Sequence, residues 1–235
     1  MTIPARCRTL PAMVPSHPAQ DARADAPPPS LAVILAGGQA RRMGGGDKAL
    51  RPLDGQPMLD HVLARIAPQV DRVALNANGD PARFAAWGLP VLADTVPGFP
   101  GPLAGVLAGL RWGAALGAAE LLVAPTDSPF LPPDLLARLR AGRGEATLAC
   151  AASAGRTHPV AALWRTALAD PLEAALRAGD RRLEGVMRGF GLAVVEFPFG
   201  PQGDPFANLN TPQELAAAEA LLREQGRGGS VSRPA

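Results

Sequence analysis

The sequence has little cysteine, little net charge and no long hydrophobic run, and each shortage argues against a class of protein. Its two cysteines, Cys7 and Cys150, lack metal-type spacing and are too few for a disulfide framework. Twenty-three basic residues oppose 21 acidic ones, and the net charge of +2 argues against a nucleic-acid-binding protein. No stretch approaches the roughly 18 apolar residues of a membrane span, and none near the start suits a secretory signal. We therefore expect a reduced, cytoplasmic protein that binds neither nucleic acid nor membrane.

Proline and glycine mark the two ends of the chain. Residues 1–30 contain seven prolines and little periodicity, and residues 226–235 read GRGGSVSRPA. Segments of this composition bury too little surface to offset the entropy lost on ordering. We predict a disordered extension over 1–30, a single folded domain over 31–225 and a flexible tail over 226–235. Because 47% of all residues are apolar, the domain can form a sizeable core.

Short apolar runs alternate with helical patterns throughout the predicted domain. The predicted strands are Leu31–Ala36, Val73–Leu75, Leu89–Ala93, Leu121–Ala124, Thr147–Ala151, Val160–Trp164 and Ala193–Phe197. The predicted helices include 57–66, Pro81–Trp87, Leu103–Leu116, Pro133–Arg140 and Pro212–Arg223. Apolar strands that alternate with helices are typical of a parallel sheet covered on both faces. We therefore predict an α/β protein, a Rossmann-like three-layer α/β/α fold with a mostly parallel central sheet, whose ligands bind beyond the carboxyl ends of the strands.

A glycine-rich segment with two arginines and a lysine follows the first predicted strand. Residues 37–48 read GGQARRMGGGDK. Glycines let backbone N–H groups approach a phosphate and cations neutralise its oxygens, although glycines alone are as typical of an ordinary turn. No Gly-x-Gly-x-x-Gly follows the strand, and Asp47-Lys48-Ala49 breaks the P-loop pattern, so two common nucleotide-binding motifs are excluded.

The same segment carries a resemblance to a known family. Residues 35–48, LAGGQARRMGGGDK, closely resemble the N-terminal motif of the molybdenum cofactor guanylyltransferases, or molybdopterin-guanine dinucleotide synthases, in the nucleotide-diphospho-sugar transferase-like superfamily. Further similar segments within 31–222 are NAN at 76–78, Asp94 with GFPGPLAG at 98–105, PTDSP at 125–129, HP at 158–159, RR at 181–182 and NLNTPQEL at 208–215. Ser128 replaces the usual threonine, and the segment before Asp127 is slightly longer. Neither departure affects a charged position.

The resemblance implies a Mg²⁺-dependent nucleotidyltransferase that moves GMP from GTP to the phosphate of Mo-molybdopterin, giving molybdopterin guanine dinucleotide and pyrophosphate. It implies GTP and Mo-molybdopterin as substrates, and molybdopterin-insertion proteins and molybdoenzyme chaperones as protein partners. We expect a monomer. Related cytidylyltransferases typically read LAAG where this chain reads LAGG at 35–38, and the methyl missing at Gly37 leaves room for a purine.

Three alternatives remain at this point. A cytidylyltransferase for the same cofactor would share the fold and most of the motifs. A sugar-1-phosphate nucleotidyltransferase would usually be longer. A non-catalytic nucleotide-binding protein would be expected to lack Lys48 or Asp127, and both are present.

The reaction joins two polyanions, so catalysis would be mostly positioning and charge neutralisation. We predict that Lys48, with Arg42 behind it, contacts the triphosphate and that Asp127 is the catalytic Mg²⁺ ligand, since Mg²⁺ prefers carboxylates and phosphates. Further nucleotide-binding residues are expected at positions beside the strand ends: Leu35, Ala36, Gly37, Gly38, Asn76 and Asp94. Each has a structural alternative: Lys48 could be a solvated lysine, Asp127 a helix N-cap and Asp94 or Asn76 part of a turn.

Two asparagines and an arginine are the predicted acceptor-binding residues. In an extended segment Asn208 and Asn210 point to the same side, and Arg182 has a counterpart in the family. The alternative is that the asparagines only shape the start of the last helix, because Thr211 suits the N-cap and Glu214 would complete a capping box.

Overall fold

The predicted alternation of strands and helices is present in the protein, whose computed structural model describes residues 28–37, 47–96, 101–200 and 203–228. The strands are β1 Leu31–Leu35, β2 Pro52–Leu53, β3 Gln56–Pro57, β4 Arg72–Asn76, β5 Val91–Leu92, β6 Glu120–Pro125, β7 Leu148–Ser153, β8 Arg156–Arg165 and β9 Leu192–Glu196. The α-helices are α1 Met58–Ile66, α2 Pro102–Ala115, α3 Leu135–Arg143, α4 Ala169–Arg177, α5 Leu183–Gly189 and α6 Pro212–Gly228. Short 3₁₀ helices span Lys48–Leu50, Ala67–Gln69, Pro81–Trp87 and Thr166–Leu168.

The central sheet confirms the predicted fold class. Its seven strands lie in the order β5-β4-β1-β6-β8-β7-β9. The pairs β5–β4, β4–β1, β1–β6 and β7–β9 are parallel, whereas β8 runs antiparallel to both of its neighbours. In the described part of the chain the sheet is therefore mostly parallel, and β8 is its reversed strand.

A hairpin between β7 and β8 explains the reversal. The sequence predicts two separate strands, Thr147–Ala151 and Val160–Trp164, but both are longer and only Ala154 and Gly155 separate them. These two residues have φ angles of 46° and 75°. Two consecutive positive φ angles are typical of a tight hairpin turn whose twist matches that of the strands. The chain therefore turns back directly instead of crossing over through a helix.

Helices cover both faces of the sheet, and alternate residues of β1 supply the two cores. Ala32 and Ile34 pack in one buried cluster with α1 and α3, while Leu31 and Val33 pack in another with α2, α4 and α5. Each of these four β1 residues is at most 1% exposed. A third cluster joins α6 to the small β2–β3 hairpin. The middle layer is thus buried on both sides, as three-layer packing requires.

Several boundaries differ from the predictions. The predicted strand Leu89–Ala93 is reduced to two residues, because Pro90 has no N–H for the ladder and β5 pairs only with β4. Helix α6 continues to Gly228, beyond the predicted end at Arg223. Ser30, which the sequence places in the extension, donates its N–H to the Asp71 carboxylate, and its carbonyl accepts from the N–H of Asp71.

Parts of the predictions fall outside the described residues. These are positions 1–27 of the extension, positions 38–46 of the glycine-rich segment and positions 229–235 of the tail. Among the helices that the structure describes, none combines the length and the apolar character needed to cross a bilayer.

Candidate active site

The candidate residues meet at one edge of the sheet because their strands run in parallel. Leu35 at the end of β1 is paired in register with Asn76 at the end of β4 and with Pro125 at the end of β6. Asn76 in turn pairs with Leu92 at the end of β5. Residues that directly follow these strands therefore converge, as the fold class predicts.

A lysine, a carboxylate and an amide form the centre of this edge. The Nζ atom of Lys48 lies 2.7 Å from Oδ2 of Asp127 and 2.5 Å from Oδ1 of Asn210. Lys48 is buried, so the opposite charge of Asp127 is needed to stabilise its ammonium group. The structure thus brings together one residue predicted for the triphosphate, one for the metal and one for the acceptor.

Local structure fixes the backbone on either side of Lys48. Lys48 begins a 3₁₀ helix whose N-cap is Asp47, and the Oδ1 atom of Asp47 accepts from the N–H of Ala49 at 3.1 Å. The other carboxylate oxygen accepts from Nε of Arg83 at 2.8 Å. The turn that presents Lys48 is therefore held by both oxygens of one carboxylate.

Asp127 is anchored on both sides of its peptide. The hydroxyl of Thr126 donates to the carbonyl of Leu35 at 3.0 Å, which joins the end of β6 to the end of β1. The carbonyl of Asp127 accepts from the N–H of Leu209 at 2.9 Å. Asp127 caps no described helix, since the N-cap of α3 is Asp134. Its carboxylate is instead directed to Lys48 at the edge of the sheet.

Two asparagine amides hold the carboxylate of Asp94. Both hydrogens of the Asn76 amide are used within the protein, by Oδ1 of Asp94 at 2.9 Å and by the carbonyl of Leu92 at 3.0 Å. Asn78 donates to Oδ2 of Asp94 at 2.7 Å and accepts from its N–H at 2.9 Å. Asn78 was not among the predicted site residues. Its spacing of two from Asn76 is the signal that could have identified it, because alternate residues of an extended chain share a side.

A glycine of α2 lies directly over Asn76. A Cβ atom at Gly105 would come within 2.1 Å of Oδ1 of Asn76 and 2.9 Å of a Leu35 methyl. Only glycine therefore allows α2 to pack this closely on the site. Gly105 lies at the end of the GFPGPLAG segment that the resemblance singled out.

The end of β1 leads to Gly37, the position that the sequence predicts to select the base. Ala36 is buried and donates its N–H to the carbonyl of Asn76 at 2.8 Å. Gly37 is exposed, and a Cβ atom there would meet no atom of the described residues within 4 Å. Within that part of the chain, neither packing nor a left-handed backbone requires glycine at this position. Gly38 and Arg42, also predicted for the site, lie outside the described residues.

The segment 208–215, called the acceptor segment here after its predicted role, contains the predicted capping box and also contacts Lys48 and Ser128. Glu214 accepts from the N–H groups of Asn210 and Thr211 at 2.7 and 2.9 Å, and donates its own N–H to the Thr211 hydroxyl at 3.2 Å. The predicted capping box is therefore confirmed, and its hydrogen bonds, first that from Asn210, lower the pKa of Glu214. The side chain of Asn210 nevertheless points to Lys48, and that of Asn208 accepts from the Ser128 hydroxyl at 2.9 Å. Capping and a place in the site are compatible.

Arg182 lies apart from these contacts. It is exposed between α4 and α5 and lines a cavity of about 780 Å³ together with Asp180, Glu184 and Arg188. A second cavity of about 370 Å³ adjoins Asn208 and Asn210, and the two cavities share no lining residue. Of the three predicted acceptor residues, Asn210 therefore contacts Lys48, Asn208 lies in the same segment and contacts Ser128, and Arg182 lines a separate cavity.

A chain of hydrogen bonds between buried or half-buried side chains lies next to the acceptor segment. The hydroxyl of Ser153 donates to Asp204 at 2.8 Å, so its oxygen must accept from Nε2 of His158 at 2.7 Å. The ring of His158 stacks on Phe206 at 4.7 Å, and burial lowers the pKa of this histidine. His158 is thus buried and held within the protein by a hydrogen bond and by ring stacking. Cys150 is also buried, and burial raises the pKa of its thiol to about 11.

The oxygens around Asp127 suit a hard divalent cation. Mg²⁺ takes carboxylate and amide oxygens and commonly completes its coordination with substrate phosphates. Asp127 supplies the carboxylate, and the amide oxygens of Asn208 and Asn210 lie on the neighbouring segment. No cluster of three or more His, Cys, Asp or Glu side chains suited to a metal occurs among the described residues. An ion here would therefore depend on phosphate oxygens as well as on Asp127.

Comparison with known proteins places the chain in a family. Residues 32–194 match a family model described as the MobA-like NTP transferase domain. The molybdenum cofactor guanylyltransferase of Rhodopseudomonas palustris strain BisB5 is 54% identical over 205 residues, which cover 85% of this chain and 97% of that protein. The chain belongs to the molybdenum cofactor guanylyltransferase family.

Other members and their fold agree with this membership. A molybdenum cofactor guanylyltransferase from Cereibacter sphaeroides is 52% identical over 192 residues, which cover 82% of this chain and 96% of that protein. A crystal structure of molybdopterin-guanine dinucleotide biosynthesis protein A from Archaeoglobus fulgidus has a TM-score of 0.66 at 23% identity, covering 83% of this chain and 99% of that one. This structural likeness shows the nucleotidyltransferase fold.

Proposed function

We propose that the protein transfers GMP from GTP to the phosphate of Mo-molybdopterin, forming molybdopterin guanine dinucleotide and pyrophosphate. A phosphate oxygen of the acceptor would bond to the α-phosphorus of GTP, and the bond from that phosphorus to the bridging β-oxygen would break. Family membership supports the reaction. The observation that carries it is the contact of Lys48 with both Asp127 and Asn210, because it puts one cation between the proposed nucleotide and acceptor sides.

The residues of this chain would act by binding and by neutralising charge. Lys48 would contact the triphosphate, and Asp94, fixed by its two asparagines, would bind the nucleoside. Asn208 and Asn210 would hold the acceptor with neutral amides. An ionised phosphate is already a nucleophile, so the reaction needs no general base. In phosphoryl transfer, positioning and electrostatic stabilisation supply most of the rate enhancement.

We propose further that Mg²⁺ binds Asp127 together with GTP phosphates. When bound, the ion would neutralise charge on the phosphate oxygens. The carboxylate at the end of β6 and the amide oxygens near it support this proposal. We propose guanine as the base because Gly37 leaves space, among the described residues, that an alanine methyl would partly fill. A purine could occupy that space. A cytidylyltransferase is the alternative.

The proposed product must be passed on to an apoenzyme, so we also propose that the protein works with molybdopterin-insertion proteins and molybdoenzyme chaperones. We propose separately that it is a cytoplasmic monomer. Light scattering of the purified protein should accordingly give the mass of a single chain.

Labelled GTP tests the proposed reaction. With Mg²⁺ and cofactor-loaded acceptor, label at the α-phosphate should appear in the pterin product, and label at the γ-phosphate should appear only in pyrophosphate. Arg177→Ala, which removes an exposed ion pair on α4 far along the chain from Lys48, Asp127 and Asn210, is the matched control and should behave like the unaltered protein. Transfer of γ-label to the acceptor would instead indicate a kinase and would contradict the proposal.

A further inference from the structure

Arg83 makes an unusually complete set of contacts beside the site. It lies in the 3₁₀ helix Pro81–Trp87. Its Nε atom donates to Oδ2 of Asp47 at 2.8 Å, Nη1 to the carbonyl of Asp80 at 2.5 Å and Nη2 to the carbonyl of Asn78 at 2.7 Å. A planar guanidinium that bonds through all three nitrogens has one orientation.

Two of these three acceptors, Asp47 and Asn78, belong to the two halves of the proposed nucleotide site. Asp47 caps the turn that begins with Lys48. Asn78 holds the carboxylate and the N–H of Asp94. Through Asp47 and Asn78, Arg83 therefore links the residue that would contact the triphosphate to the one that would bind the nucleoside.

Packing against Phe84 and partial burial restrain the side chain of Arg83. Phe84, the next residue, is buried in the core with α1, and the Arg83 guanidinium lies 4.7 Å from the centre of its ring. The side chains of Arg83 and Asp47 are 26% and 18% exposed. An ion pair that is mostly shielded from water and hydrogen-bonded in this way is stronger than an exposed surface pair.

We propose that Arg83 is a positioning residue that sets the location of Lys48 relative to Asp94, acting through Asp47. The proposal rests on the proposed use of GTP. Arg83 itself would not touch the triphosphate. Its loss would remove one of the two hydrogen bonds to the carboxylate of Asp47, which caps the turn at Lys48. Lys48 would then be positioned to contact the phosphates in a smaller fraction of the protein molecules.

The affinity for GTP with Mg²⁺, measured by calorimetric titration, tests this role. Arg83→Ala and Arg83→Lys should each weaken GTP binding about tenfold, because lysine keeps the charge but cannot reach all three acceptors. Asp47→Asn should do the same while its amide oxygen still accepts from Ala49. Arg177→Ala should bind GTP as the unaltered protein does.

A Lys48→Ala background distinguishes positioning through Lys48 from direct contact between Arg83 and the nucleotide. If Arg83 acts through Lys48, adding Arg83→Ala to Lys48→Ala should change GTP affinity by less than about twofold. A further tenfold loss in that background would mean that Arg83 contacts the nucleotide directly or supports the site in general, and would overturn the proposal.

The outcomes also separate this proposal from the proposed function. Normal GTP binding by Arg83→Ala, Arg83→Lys and Asp47→Asn, with GTP bound by the unaltered protein, would overturn the role of Arg83 alone. Failure of the unaltered protein to bind GTP would overturn both. If Arg83→Ala does not fold, Asp47→Asn decides, because it removes the same ion pair and keeps the cap.

Discussion

The ammonium group of Lys48 lies 2.7 Å from the carboxylate of Asp127, although 79 positions separate the two residues along the chain. Their side chains are 9% and 23% exposed. The contact joins the end of the glycine-rich segment to the residues that follow β6. In the proposed reaction these two charges would act on the same phosphates, the lysine directly and the carboxylate through Mg²⁺.

Asp127→Asn should abolish transfer while the fold is retained. The amide keeps the shape of the side chain but neither balances the charge of Lys48 nor serves as a strong Mg²⁺ ligand. We expect a loss of at least roughly 100-fold in kcat/KM, and a loss of about 1–3 kcal/mol in unfolding free energy because a buried cation loses its partner. Product formation and urea denaturation measure the two effects. Normal activity at ordinary Mg²⁺ would instead assign the metal to Asp94.

Gly105→Ala should damage the nucleotide site through packing. The new Cβ atom would lie within 2.1 Å of Oδ1 of Asn76, so the amide that holds Asp94 must move. We expect a loss of about 1–3 kcal/mol in unfolding free energy together with weaker GTP binding. Gly185→Ala in α5 is the control, because its Cβ atom would meet only an Arg182 carbon at 3.9 Å. That variant should be unchanged or more stable by up to about 1 kcal/mol, and equal effects in both would refute a packing role for Gly105.

The choice of base should depend on Gly37. Alanine at this position would meet no atom of the described residues, so thermal stability should stay the same. If the open space receives guanine, the added methyl should lower kcat/KM for GTP and weaken discrimination against CTP. Steady-state rates with each nucleotide provide the measurement. Unchanged preference for GTP would show that the base is selected elsewhere.

The sequence was sufficient to predict features that depend on local spacing or on position at the end of a strand. Asp127 is identified by the apolar run before it, and the capping box by the spacing of Thr211 and Glu214. Contacts across the chain were not accessible in this way. Arg83 reaches Asp47 over 36 positions, and nothing in the short helix around Arg83 indicates which carboxylate it meets.

The direction of β8 was missed for a different reason. Its apolar residues fit a parallel or an antiparallel strand equally well, because burial on both faces removes the alternation that would distinguish them. The Ala154-Gly155 turn decides the direction. A short turn with only one glycine is a weak signal in a sequence that contains 26 glycines.

The two asparagines of the acceptor segment should have separable roles. Asn208 contacts Ser128, whereas Asn210 contacts Lys48. Asn208→Ala should therefore impair transfer to the cofactor and leave GTP affinity within about twofold, while Asn210→Ala should weaken both. Calorimetric GTP titration and the transfer assay give the two readouts. Equal losses of stability and of both activities in the two variants would favour a purely structural role.

The capping carboxylate of Glu214 should give a pH-dependent contribution to stability. Its hydrogen bonds lower its pKa in the folded protein below the ordinary 4.5, so the contribution is present above pH 4.5 and is lost as the pH falls through the lower folded-state value. Glu214→Gln should cost about 0.5–1 kcal/mol at neutral pH. The difference from the unaltered protein should vanish in acid. A difference that is constant with pH would mean that the charge contributes nothing.

The most direct test of the proposed function is a comparison of the four nucleoside triphosphates. The unaltered protein is incubated with Mg²⁺, cofactor-loaded acceptor and each triphosphate in turn, and the products are identified by mass. We predict that only GTP gives an acceptor whose mass has increased by one nucleoside monophosphate, with pyrophosphate released in equal amount. Equal turnover of CTP, or no nucleotide transfer with any of the four, would contradict the proposed guanylyl transfer.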